Sequence, residues 1–226
     1  MRYIPIIIIA LVAILGAVFF ADALSFENLA ENRHRLLAVR DENFVLTAMG
    51  FVAVYFIIVA FSLPGAAVAS ITGGFLFGLA FGTFLNVIAA TLGACAIFLA
   101  VQLGIGKAIA NKVDTADGTL ATMMARLKQN EISVLFLLRL VPVVPFFVAN
   151  VLPALVGVKF RNFVITTFLG IIPGGLVYTW IGVGIGDVFD RGQTPDFSII
   201  WSPHIIGPIL GLAALAVVPM FLGKKG

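Results

Sequence analysis

A single basic side chain stands inside a long apolar segment. Arg139 lies in the run FLLRLVP, with Glu131 before it and Lys159 as the next charged residue after it. A charge at membrane depth costs about 2.5–3.5 kcal/mol even on lenient insertion scales, so such residues mark functional sites by default. The guanidinium fork suits a pair of phosphate oxygens or the free carbonyls of a broken helix. The alternative is an arginine near the interface that snorkels or pairs with Glu131.

Helix-breaking and amide residues follow Arg139 closely. Each proline removes a backbone donor and disturbs the helix around it, and the Asn150 amide is able to satisfy the freed groups or to coordinate a polar ligand. An earlier apolar run carries the corresponding breaks, where glycines allow close backbone approach. We expect these residues to shape two hairpins: Pro64, Gly65, Gly73, Gly74, Gly78, Pro142, Pro145 and Asn150.

Other kinds of site are excluded by what the chain lacks. Cys95 is the only cysteine, and the two histidines are far apart, so neither a disulfide framework nor a metal site is expected. A net charge of +3 with scattered basic residues gives no nucleic-acid surface. No nucleophile–base pair, paired carboxylates or cofactor motif occurs in the apolar segments. We therefore expect no enzyme activity and no cofactor.

The elements that must position Arg139 are membrane helices. The chain has 226 residues, of which 61% are apolar and 11% charged, against about 45–50% and 25% in soluble domains. Charged residues are missing from four stretches, each close to or longer than the roughly 20 residues of a spanning helix. The stretches are 3–21, 43–106, 162–186 and 197–223. The sequence thus predicts an all-α, multi-pass membrane protein with about five transmembrane helices.

Two apolar stretches are too broken to be simple spans. The first runs over 62–82 and the second over 139–157, and both are interrupted by Pro or Gly. Broken backbone survives in hydrocarbon only when it is buried in protein or lines a wet cavity. Paired interrupted segments indicate an inverted repeat with a site between its halves. We predict two re-entrant hairpins that meet near the midplane; two kinked spanning helices are the alternative.

The ends of the chain are predicted separately. Residues 1–43 comprise an apolar helix, retained or cleaved as a signal peptide, and a connector from 25 to 43 that is either interfacial or simply solvated. Residues 44–198 form the membrane domain, and residues 199–226 form a last transmembrane helix with a basic tail. The distribution of Lys and Arg places the C-terminus in the cytoplasm.

The order of motifs over residues 62–186 resembles the DedA superfamily, and most closely its Golgi Tvp-type branch, also called the SNARE-associated or VTT-domain family. The resemblance rests on Pro64, the stretch GGFLFG from 73 to 78, the stretch RLVPVVPF from 139 to 146, and Asn150. It extends to Gly157, Gly170, Pro173 and Gly174, and implies that these shape the second hairpin. It also implies two facing re-entrant hairpins and a contact between Arg139 and a lipid phosphate. Gln102 stands where many Tvp-type members carry Arg.

The resemblance and the residues together predict a lipid-translocating protein of the bacterial inner (plasma) membrane. Its substrate would be a phospholipid or a polyprenyl phosphate, and its partners would be membrane lipids with anionic headgroups. A homo-oligomer is possible. No Asp or Glu occurs between Glu42 and Asp114 or between Glu131 and Asp187. That absence argues against a carboxylate proton relay and for an anionic ligand. The alternatives are a small-solute or ion transporter, and a membrane-organising factor that transports nothing.

Overall fold

A computed structural model describes residues 31–104, 130–140 and 145–190, and within these ranges the chain is helical without any strand. The predicted all-α class is therefore confirmed for this part of the chain. The predicted apolar helix at the start of the chain and the predicted last transmembrane helix within 199–226 lie outside it. The helices are α1 (Arg33–Glu42), α2 (Phe44–Ala60), α3 (Ala66–Gly104), α4 (Glu131–Leu140), α5 (Phe146–Val156), α6 (Phe160–Gly170) and α7 (Ile172–Asp190).

Helix α3 consists of two arms that meet at Gly78. Gly78 has φ 74° and ψ 179°, a backbone conformation reserved almost entirely for glycine. The first arm (66–77) folds back along the second arm (79–104). The Asn86 amide nitrogen donates to the Ser70 carbonyl at 2.9 Å, and a Cβ on Gly82 would lie 2.5 Å from the Gly73 carbonyl oxygen. The two arms are thus antiparallel and closely packed.

Helix α2 runs beside both arms. At its start the Phe44 ring packs on Phe77 and Phe81, with centroids 5.7 and 5.4 Å apart. Near its end Val59 contacts the second arm at Gly93. Since Phe81 and Gly93 follow one another along the second arm, α2 and that arm are parallel. The first half therefore consists of three helical segments, which we call legs: α2, the first arm of α3 and the second arm of α3. The middle leg runs antiparallel to the other two.

The second half also contains three helices in sequence, α4, α5 and α6, which we likewise call legs. Glu131 at the start of α4 accepts a hydrogen bond from Asn162 in α6, at 2.6 Å. Arg139 at the end of α4 contacts Gly170 at the end of α6, so these two helices are parallel. Helix α5 lies between them in sequence, ends at Gly157 with φ 79°, and packs mainly against α3. Ile171 keeps a helical conformation between α6 and α7, which makes 160–185 nearly one long helix.

The long helices of the two halves are antiparallel. Phe98 stacks on Phe163 with ring centroids 4.3 Å apart, whereas Asn86, earlier in α3, donates to Thr179, later in the chain, at 2.9 Å. Helix α7 also packs on the first arm of α3, where Gly74 and Gly182 let the backbones touch. The contact of α7 with the two arms of α3 together is the most extensive contact between helices in the described part of the chain.

The described helices have the dimensions and surface of a membrane protein. Two helical stretches are long and apolar enough, by length and composition, to cross a membrane: Ala66–Gly104, which folds back at Gly78, and Phe160–Ile185, which joins α6 to most of α7. Helix α2 is a shorter apolar helix, and its side chains Val45, Leu46 and Met49 are at least 65% exposed. Water would make such exposure costly, whereas lipid tails would not.

The helix bounds refine two of the predicted segments. The stretches 62–82 and 139–157 each begin at a helix break, and each is preceded by a further leg, α2 or α4. Proline and glycine predict where a helix is interrupted but not that a further apolar helix precedes the interruption. The connector prediction falls on α1, whose Leu36 and Leu37 pack on Phe75 and Leu76.

Candidate functional site

Arg139 of α4 is held by side chains from two other helices, α5 and α6. Its Nη1 donates to Asn150 Oδ1 of α5 at 2.7 Å, and its Nη2 donates to Thr167 Oγ1 of α6 at 2.8 Å. The guanidinium carbon lies 5.1 Å from the centroid of the Phe163 ring, a cation–π distance. These contacts fix the guanidinium group at the end of α4.

The charge of Arg139 has no counter-charge among the described residues. It forms no salt bridge there, and Glu131, the predicted alternative partner, instead accepts from Asn162. A guanidinium carries five N–H donors, and the described partners take two of them. Three N–H donors and the positive charge are therefore without a partner among the described residues.

Asn150 is completely buried and only half satisfied. Its Oδ1 accepts from Arg139, but its Nδ2 has no hydrogen-bond partner among the described residues. An unsatisfied buried donor costs about 1–3 kcal/mol. Asn150 therefore orients Arg139, and its Nδ2 adds further N–H donors without a described partner next to the guanidinium group.

The absence of a side chain at Gly170 leaves room for the aliphatic part of the Arg139 side chain between α4 and α6. A Cβ at position 170 would lie 2.9 Å from the Arg139 Cβ, 3.2 Å from its Cγ and 3.3 Å from Cδ1 of Phe136. Those distances are shorter than ordinary van der Waals contact. The small residue thus lets the two helices approach until Arg139 reaches Thr167.

A cavity of about 270 Å³ lies between the two halves, and Arg139 is part of its wall. The first half contributes α2 and both arms of α3, and the second half contributes α4, α5 and α7. The lining residues are Tyr55, Ala66, Ala67, Ser70, Asn86, Val87, Ala90, Arg139, Phe146, Ile171, Gly174, Gly175 and Tyr178. A mostly apolar cavity with a few converging polar groups is the usual form of a ligand site.

Neutral polar groups from the first half line this cavity as well. The Tyr55 hydroxyl lies 2.6 Å from Ser70 Oγ, which donates to the Ala66 carbonyl at 3.1 Å. Sequence reasoning missed Tyr55, Ser70, Asn86 and Thr167. The available signal was that each is a polar residue within a membrane-length uncharged stretch, where a polar group needs a buried partner.

The other predicted residues lie mainly at turns and helix contacts. Pro64 and Gly65 form the turn between α2 and α3, and Gly73 and Gly74 lie in the first arm. Pro145 precedes α5 as its N-cap, and Pro173 and Gly174 lie in the first turn of α7. Pro142 lies outside the described residues. Among those described, no group of His, Cys, Asp or Glu could hold a metal ion.

The VTT domain matches residues 63–184, more than half of the chain and both halves of the cavity. The chain belongs to the VTT-domain family. The predicted family membership is thus confirmed. Arg139 and the residues that hold it therefore lie within the VTT domain of this protein.

Curated relatives of this VTT-domain protein are membrane proteins by name. A transmembrane protein 41 homolog of Dictyostelium discoideum is 30% identical over 186 residues, covering 82% of this chain and 54% of the relative. Human transmembrane protein 41B is 25% identical over 187 residues, covering 82% of this chain and 62% of the relative. The chain therefore spans less than two thirds of the length of these relatives. No solved structure matches it.

Proposed function

We propose that this VTT-domain protein translocates lipids with phosphate headgroups between the leaflets of the inner (plasma) membrane. The cavity between the two halves would receive the headgroup, while the acyl or prenyl chains stay in the bilayer. The observation that carries the proposal is Arg139, a charged side chain without a described counter-charge, in the wall of an otherwise uncharged cavity.

Helix lengths support a re-entrant arrangement. At 1.5 Å per residue, α4 and α5 are each about 15–17 Å long, roughly half of the 30 Å hydrocarbon core. A hairpin of these two helices would therefore turn near the midplane, and Arg139 lies next to that turn. The first arm of α3 is also too short to span, at about 18 Å.

An inverted repeat would account for the two sets of legs. In each half the first and third legs are parallel, and the third legs of the two halves are antiparallel. Inverted repeats of this kind place the transported group near the midplane, where their halves meet. The cavity occupies that junction, so a headgroup crossing the membrane would pass Arg139.

The chemistry of Arg139 favours phosphate as the transient counter-charge. The planar guanidinium binds two oxygens of a phosphate group at once, and three of its donors are not taken by described partners. Carrying a phosphate through hydrocarbon without such a partner would cost several kcal/mol. An arginine at the midpoint lowers this barrier, and binding to it stays reversible because no second cation among the described lining residues holds the anion.

Reconstitution in liposomes tests the proposal. Fluorescent phospholipids labelled on the acyl chain are incorporated in both leaflets, and dithionite bleaches the outer leaflet, so the remaining decay reports translocation. We expect rapid decay with the wild-type protein, a rate near that of protein-free vesicles with Arg139→Ala, and partial activity with Arg139→Lys, which keeps the charge but loses the fork.

Arg161→Ala is the matched control because Arg161 is an exposed arginine on α6, away from the cavity. It should leave the translocation rate unchanged. Full lipid translocation by a correctly folded Arg139→Ala protein would contradict the role of Arg139. Absence of translocation by the wild-type protein would contradict the proposed function itself.

A transporter of small anions is the second candidate, and the size of the cavity favours it. About 270 Å³ holds a phosphate-sized headgroup or a small solute but not a whole lipid. Uptake of a radiolabelled small anion into liposomes, independent of lipid composition and with no lipid translocation, would support this alternative.

A further inference from the structure

The charge of the cavity discriminates between kinds of phosphate. Of the described residues that line it, Arg139 alone is charged, and the rest are apolar, hydroxyl, amide or glycine residues. The four residues between Leu140 and Pro145, which follow Arg139, carry no ionisable side chain. On the basis of the proposed function, we ask which lipid headgroup this single positive charge fits.

Phosphodiesters and phosphomonoesters differ in charge. A phosphodiester carries one negative charge, whereas a phosphomonoester carries about −1.5 to −2 at pH 7. One arginine neutralises the first but leaves the second with uncompensated charge in a low-dielectric site, and such charge is costly. A zwitterionic headgroup, in turn, would add an ammonium group and leave the positive charge of Arg139 unbalanced.

We propose that the substrate is a phosphodiester lipid whose remaining headgroup is neutral and bears hydroxyl groups, with phosphatidylglycerol as the type. Its phosphate contacts Arg139, and its glycerol hydroxyls face the polar wall formed by Tyr55 and Ser70. Phosphomonoester lipids, such as phosphatidic acid and polyprenyl phosphates, and zwitterionic lipids are poorer substrates.

The hydrogen bonds of that polar wall fit a hydroxyl donor. Ser70 Oγ donates to the Ala66 carbonyl, so in the hydrogen bond between the two hydroxyls Tyr55 is the donor. The lone pairs of the Tyr55 oxygen are then left as acceptors at the cavity wall. A headgroup hydroxyl supplies the donor they need without adding charge.

Parallel measurements with three lipids on the wild-type protein test the charge match. Liposomes contain acyl-labelled phosphatidylglycerol, phosphatidic acid or phosphatidylethanolamine, and translocation is followed by dithionite bleaching at pH 7.5. We expect phosphatidylglycerol to move about tenfold faster than either of the others, as an unbalanced charge in a buried site implies. Equal or faster movement of phosphatidic acid or phosphatidylethanolamine overturns this inference and leaves the proposed function intact. Absence of translocation for all three lipids overturns both.

Two lysine variants add the converse test. Ala67→Lys places a second cation in the cavity wall at an exposed position, and Ala80→Lys places the same charge at an exposed position outside the wall. We expect Ala67→Lys to shift the preference toward phosphatidic acid, and Ala80→Lys to leave it unchanged. An unchanged preference in a folded, active Ala67→Lys protein overturns the charge match.

A hydroxyl variant tests the polar wall by itself. Tyr55→Phe removes the acceptor, and we expect it to slow phosphatidylglycerol several-fold while leaving the rate of phosphatidylethanolamine unchanged. Thr72→Val is the control, because Thr72 on the first arm of α3 donates to the Val68 carbonyl of its own helix and does not line the cavity. Equal slowing of both lipids by Tyr55→Phe assigns Tyr55 a structural role and overturns the hydroxyl part of the proposal.

Discussion

The two halves of the molecule share one helix contact and differ in the residue that makes it. In the first half, Gly93 of the third leg packs on Phe56 and Val59 at the end of α2. In the second half, Gly170 of the third leg packs on Phe136 and Arg139 at the end of α4. The local sequences are FIIV and FLLR. A close contact between parallel legs thus serves packing in one half and positions a charge in the other.

This difference shows how a site arises from a structural contact. Val59 is almost fully buried and meets only packing neighbours, whereas Arg139 finds Asn150, Thr167 and the cavity within reach of its longer side chain. The glycine is needed in both halves for the same steric reason. The charge belongs to one half alone.

Replacing Arg139 by the residue of the other half has the largest expected effect. Arg139→Val should reduce lipid translocation to the rate of protein-free vesicles. It removes the hydrogen bonds to Thr167 and to the buried Asn150 Oδ1, a loss of about 1–3 kcal/mol, but also removes a charge that costs about 2.5–3.5 kcal/mol in a membrane. The two terms nearly offset, so we expect the melting temperature in detergent to change little. A large fall in melting temperature would mean that Arg139 is mainly structural.

Adding a methyl group to each of the two glycines separates packing from function. In Gly93→Ala the new Cβ would lie 2.6 Å from the Val59 Cβ and 2.8 Å from the Phe56 carbonyl oxygen, neither of which is free to move. We expect destabilisation by about 1–3 kcal/mol, as for overpacked cores.

Gly170→Ala meets the flexible stem of Arg139 instead. It should cost less stability than Gly93→Ala but slow translocation more, because the guanidinium group is displaced from Asn150 and Thr167. Thermal melting and lipid translocation of both variants check this. An equal loss of stability with unchanged translocation in Gly170→Ala would contradict it.

The second turns of the two halves differ in backbone conformation. Gly78 has φ 74° and ψ 179°, where a side chain costs about 1–3 kcal/mol. Gly157 has φ 79° and ψ 29°, the left-handed helical region, where the cost is about 1–2 kcal/mol. A Cβ at either position would meet no atom within 4 Å, so the backbone conformation alone determines the cost of adding a side chain. Thermal melting should show Gly78→Ala to be the less stable variant; the reverse order would contradict this comparison.

The smallest expected effect comes from two adjacent threonines of α6. Thr167→Val removes one acceptor of Arg139, a loss of about 0.5–1.5 kcal/mol, and should slow translocation a few-fold. Thr166 is as deeply buried, but its hydroxyl bonds to the Asn162 carbonyl of its own helix. Thr166→Val should therefore leave translocation unchanged. Equal effects of the two variants would show that the hydroxyl of Thr167 acts only in packing.

The fold class largely follows from the sequence, but the grouping of helices into three-leg units does not. The uncharged stretches predict apolar helices because a membrane tolerates few charges, and Pro64, Gly78 and Pro145 mark helix breaks through their backbone chemistry. Helices α2 and α4 are apolar runs like any other span. Their place in a three-leg unit depends on contacts with residues 30–40 positions later, such as Val59 with Gly93.

The sequence by itself determined the membrane class, the family and the one charged residue in an apolar segment, because each depends on residue type and local order. Only the tertiary structure decided what surrounds Arg139. Asn150, Thr167 and Phe163 come from two other helices, and Tyr55 and Ser70 come from the other half of the chain. Antiparallel packing of the two long helices brings them to one cavity, and close packing of this kind depends on the shapes of surfaces distant in sequence.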